Sequence, residues 1–85
     1  MDLNKEELKN KIIYRSSYRG TKEMDILVSS FVKSIIDQLE YDDLILLNNF
    51  IKIDDENLYK INHNLPTSIN IENNKIIKLF RNFCI

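Results

Sequence analysis

A chain of 85 residues makes one domain with a small core, because a protein of this size buries only about 60 to 65% of the surface its unfolded form exposes. A composition of 44% apolar and 29% charged residues with one Gly and one Pro excludes intrinsic disorder and a many-stranded β-sandwich, and a substrate cavity of roughly 300 Å³ would hollow out most of the core, which argues against an enzyme. The net charge of −1 implies no general attraction to nucleic acid or to a membrane surface, although residues 1–22 carry six basic and three acidic groups, 23–59 two and nine, and 60–85 four and one.

Asn4 opens the first predicted helix as its cap, with Glu7 reaching back and Leu3 stapling onto Leu8. The helix runs from Lys5 to about Tyr18. Leu8, Ile12 and Ile13 share one face, while Lys11, Arg15, Tyr18, Arg19 and Lys22 make a basic, partly aromatic one. Gly20 ends this helix and Thr21 begins the second and longest. Met24, Leu27, Val28, Phe31, Ile35 and Leu39 form its apolar stripe. Glu40, Asp42 and Asp43 place negative charge at the start of a central third helix that buries Leu44, Leu47, Phe50 and Ile51. Asp54 caps a short fourth helix ending near His63, and Pro66 marks a loop. Thr67 or Ser68 is expected to cap the fifth, which carries Ile69, Glu72, Ile76, Leu79, Phe80 and Phe83. Short connections give an all-α, small single-domain five-helix bundle over residues 1–85.

Fourteen Ile, eleven Asn and no Ala reflect an AT-rich genome, and a bacterial one is expected. One cysteine, Cys84, excludes an internal disulfide and fits a reducing compartment, and no Cys/His spacing suits a structural metal. With no signal sequence and no apolar run of membrane-spanning length, the expectation is a cytoplasmic protein without membrane insertion.

Arg19-Gly20-Thr21-Lys22-Glu23 admits two readings. Locally, Gly20 supplies a left-handed cap to the first helix and Arg19 complements the carbonyl end of its dipole. Functionally, Gly20 lets a partner's backbone come close while Arg19 and Glu23 present opposite charges beside it. With both charged residues on a polar face, Arg19→Ala and Glu23→Ala are expected to stay within about 0.5 kcal/mol of the parent fold.

Tyr14-Arg15-Ser16, Tyr18-Arg19-Gly20-Thr21-Lys22-Glu23-Met24-Asp25 and Phe31, followed by Phe50-Ile51 and Asp54-Asp55-x-x-Leu58-Tyr59, resemble the succinate dehydrogenase assembly factor 2 family, the bacterial FAD assembly factors with an Arg-Gly-x-x-Glu hallmark. The resemblance covers most of residues 8–66. It implies a five-helix protein that binds the flavoprotein subunit of succinate dehydrogenase, with a fumarate reductase flavoprotein as a second possible client, and promotes covalent attachment of FAD to it. Arg19, Gly20 and Glu23 then become partner-binding residues, with Asp25, Arg15 and Tyr18 beside them. The protein is expected to act as a monomer with no cofactor of its own, the FAD belonging to the partner. Ile61 stands where the family often has Trp.

Other residues read as structural. His63 complements a helix end, Asp54-Asp55-Glu56 match a helix dipole and lack the pattern of a calcium loop, and Cys84 has no nucleophilic partner. Tyr14 and Tyr18 suit interface or core-edge packing. Besides an assembly chaperone, two function classes stay open. One is an interaction module of another kind, antitoxin-like. The other is a nucleic-acid binder using the basic face of the first helix, weakened by a local excess of only three charges.

Overall fold

The computed structural model describes residues 4–17 and 19–84. Five α-helices follow in order: α1 (Lys5–Ser16), α2 (Lys22–Ile35), α3 (Tyr41–Phe50), α4 (Asp55–Asn62) and α5 (Lys75–Arg81), with a 3-10 turn at Ile36–Gln38 and no strand among the described residues.

Asn4 caps α1 as its spacing predicts, its Oδ1 accepting the Glu7 N–H at 2.8 Å, while Glu7 takes a bond from the Asn4 side-chain amide. The expected staple from Leu3 lies outside the described residues. α1 stops at Ser16 because two consecutive serines turn their hydroxyls back onto the Ile13 carbonyl, at 2.9 and 3.4 Å, and Ser17 adopts extended backbone. Such local bonds compete with helix propagation. Thr21 then caps α2 by accepting the Met24 N–H at 3.1 Å. Its stripe buries Met24, Val28, Phe31 and Val32 before the helix tightens into the 3-10 turn, after which extended Leu39 is buried.

The core lies where α2, α3 and α5 converge. Phe31 stands between Phe50, Phe80 and Phe83 at ring-centroid distances of 5.4, 4.9 and 5.3 Å, and Phe50 meets Phe80 at 4.8 Å. The rings are tilted or edge-on, the geometry that places a positive ring edge against a negative face. Leu44 and Leu47 of α3 are wholly buried in the same core, and α1 packs against α2 and α3 with Leu8 and Ile12 buried. Each such burial contributes about 1.5–3 kcal/mol.

The fifth helix departs from expectation. It begins at Lys75, capped by Asn74, whose Oδ1 accepts from the Ile76 and Ile77 N–H groups at 2.9 and 3.1 Å. Thr67 and Ser68 are engaged elsewhere. Thr67 donates to the Ile69 carbonyl at 2.7 Å, and Ser68 is bound through its N–H and hydroxyl to buried Asn57 of α4. Residues 69–74 therefore run without helix, Ile69 and Leu79 stay substantially exposed, and Ile77 joins Ile76 and Phe80 in the core.

Candidate functional site

The turn between α1 and α2 is fixed from across the fold. Arg19 points inward, its side chain 11% exposed. Its Nε donates to Asp55 Oδ1 at 2.8 Å, and its two terminal nitrogens donate to the Ile51 and Ile53 carbonyls, each at 2.7 Å. Ile51 caps the C-terminal end of α3, where carbonyls lack intrahelical donors and carry the negative end of the helix dipole. A planar guanidinium suits this place because its donors diverge in fixed directions.

Asp55 closes the arrangement with its other oxygen. Oδ2 accepts the Gly20 N–H at 2.9 Å, so one carboxylate holds both members of the Arg-Gly pair. Asp55 does not cap α4. That position belongs to Asp54, which accepts from the Asn57 backbone and side-chain amides at 3.3 and 2.8 Å. The Asn57 side-chain bond, helped by the backbone one and opposed by desolvation, holds the Asp54 carboxyl below the usual aspartate range.

These contacts revise two expectations. Gly20 is not a left-handed cap, since no glycine has positive φ and Ser17 occupies the C-cap of α1. Glycine instead leaves room for the carboxylate: a Cβ there would lie 2.9 Å from Asp55 Oδ2, so that one of the two would have to shift. Nor does Arg19 lie on a polar outer face with Glu23. A side chain with three intramolecular bonds is part of the fold.

The remaining predicted residues are distributed around this turn. Glu23, in the first turn of α2, is exposed and has no ion pair among the described residues. Asp25 is half-buried, Arg15 is exposed in the last turn of α1, and Gly20 is exposed. Tyr18 lies outside the described residues. With Arg19 turned inward, the basic face of α1 loses one of its charges.

Glu23 also edges an open groove of about 270 Å³. One wall is α2, with Glu23, Met24 and Leu27, and the other is α4, with Tyr59, Asn62 and His63. Phe83 and Cys84 line it from the C-terminal segment, which Asn62 secures by donating to the Phe80 and Phe83 carbonyls at 2.9 and 3.0 Å. The His63 ring packs against Tyr59 with centroids 4.2 Å apart and planes inclined at 38°, a contact that its reading as a helix-end charge missed. Ile61, at the position where the resembling family often has Trp, is wholly buried.

Asp55 is the residue that sequence reasoning overlooked. The available signal was redundancy: one aspartate suffices to cap α4, and the second belongs, like the Arg-Gly pair, to the stretches that carry the family resemblance. Among the described residues, no cluster of three or more His, Cys, Asp or Glu could hold a metal, and no helix is long and apolar enough to cross a membrane. Comparison with protein families gives a match to the family described as the flavinator of succinate dehydrogenase, over residues 10–84. No curated protein and no solved structure gives a match.

Proposed function

The chain belongs to the family of flavinators of succinate dehydrogenase, and from that premise we propose that it is a docking chaperone for the flavoprotein subunit, using the first turn of α2 and the residues that flank the α1–α2 turn. It brings no catalytic group to the reaction. The bond-forming chemistry would be supplied by the flavin and a histidine of the partner, and the chaperone would favour the arrangement in which they meet.

The observation that carries this reading is the exposed Glu23 carboxylate on a helix whose start is fixed by Arg19 and Asp55. A charged side chain on a backbone that is already fixed has only its own rotamers left to order on binding, so more of its attraction for a complementary charge appears as affinity. Asp25 and Arg15 flank the same turn in sequence and complete the proposed contact set with Tyr18.

FAD is assigned to the partner. The chain's one glycine is engaged by Asp55, leaving no Gly-rich loop to set a pyrophosphate on a helix N-terminus. The groove of about 270 Å³ is open and edged by the Glu23 carboxylate, which repels an anionic diphosphate. A cytoplasmic setting suits the single Cys84. Isothermal titration of FAD into the isolated protein checks this assignment. No saturable heat is expected, whereas tight stoichiometric binding would make the protein a flavin carrier and overturn the docking role.

A further inference from the structure

We propose that Asp55 is the positioning residue of the docking site, and that Arg19 and Gly20 act on partner binding through it, without touching the partner. This inference rests on the docking role proposed above. The Asp55 carboxylate joins two segments far apart in sequence, Oδ1 to the Arg19 side chain and Oδ2 to the Gly20 backbone. Those segments lead directly into the two walls of the groove. Glu23 follows Gly20 by three residues at the start of α2, and Tyr59 follows Asp55 by four on α4. Asp55 and Tyr59 are one helical turn apart on α4, and Gly20 directly precedes Thr21, the cap of α2, so the carboxylate ties the start of α2 to the first turn of α4. The carboxylate thereby sets the relation between Glu23 and the Tyr59–His63 pair.

The same geometry assigns a cause to the glycine. Its position is exposed, so solvent would accommodate a side chain directed outward, yet the first carbon of any side chain would meet Asp55 Oδ2 at 2.9 Å. That oxygen is not a free end. Its carboxylate is held by the Arg19 Nε and the Gly20 N–H, and its side chain is only 28% exposed. Even a methyl group at residue 20 must displace the carboxylate. An arginine there adds bulk to a defect that alanine already creates.

Epistasis tests this. Gly20→Ala, Asp55→Ala and the double variant are titrated as full chains against the flavoprotein subunit of succinate dehydrogenase, at a temperature where circular dichroism shows each one folded. Each single change should weaken binding about tenfold, and the double should bind no more weakly than Asp55→Ala, because the methyl group then meets no carboxylate. Additive losses would mean that Gly20 meets the partner directly, and would overturn the proposal. Flavinylation at saturating chaperone should return to the parent rate in Asp55→Ala, and a reduced maximal rate would also count against a positioning role. If Asp55→Ala does not fold, Asp55→Ser replaces it in the cycle, retaining one acceptor oxygen on a side chain one atom shorter that clears the added methyl group, with the same non-additivity expected. Glu23→Gln separates the two levels of inference: if it binds normally, the docking role fails, and if it binds weakly while the Asp55 variant binds normally, only the positioning proposal fails.

Discussion

Arg19 directs its donors at three acceptors within the chain, and its truncation strands all three. Arg19→Ala leaves the Ile51 and Ile53 carbonyls and a largely covered Asp55 carboxylate short of their donors, at a cost of about 2–3 kcal/mol. For a domain of this length that lowers the melting midpoint by roughly 10–20 °C. Arg19→Lys should recover only part of the loss, since an ammonium on a flexible stem cannot reach three diverging acceptors. Glu23→Ala should stay within about 0.5 kcal/mol of the parent. Equal midpoints for Arg19→Ala and Glu23→Ala in a thermal melt would contradict this division. The motif was legible in the sequence, but the direction of its arginine was not. Helical spacing assigns residues to faces, whereas the acceptors of Arg19 lie 32 to 36 residues away along the chain.

At the scale of elements, reading was most successful where apolar spacing and a capping side chain agree. Asn4, Thr21 and Asp54 each cap the helix assigned to them, and Leu44, Leu47 and Phe50 face the core from α3. The fifth helix shows where spacing misleads. Ile69 falls in phase with Ile76, but Asn70, Asn73 and Asn74 intervene, residues whose short amides favour caps and turns over helix interiors. The binding of Ser68 to Asn57 joins two segments 11 residues apart, which a local pattern cannot reveal. Asn74→Ala should therefore destabilise the protein by about 1 kcal/mol through loss of the α5 cap, while Thr67→Ala should change it by no more than about 0.5 kcal/mol. Urea midpoints in the reverse order would restore the longer helix.

Over the whole molecule, the sequence's basic ends and acidic middle become a set of contacts. Lys5 meets Glu40 at 3.9 Å, Lys9 meets Asp37 at 3.5 Å and Lys75 meets Asp43 at 3.0 Å. Such surface pairs add at most about 1 kcal/mol each, but they offset positive charge that a nucleic-acid surface would need. Glu23 is outside these pairs, and its position beside the groove is what the docking role uses. The site was thus half legible: the residues of the turn were named from sequence, and the aspartate that unites them emerged only when α4 was placed against it.

As a docking chaperone, this chain should promote covalent flavin attachment by binding the apo-flavoprotein. The most direct measurement is covalent FAD on that subunit, read by flavin fluorescence after denaturing electrophoresis, with FAD supplied and the chaperone present or absent. A faster rate or higher yield in its presence, abolished when the partner's acceptor histidine is replaced, is the predicted result. Unchanged rate and yield with the folded chaperone at saturating concentration would contradict the account.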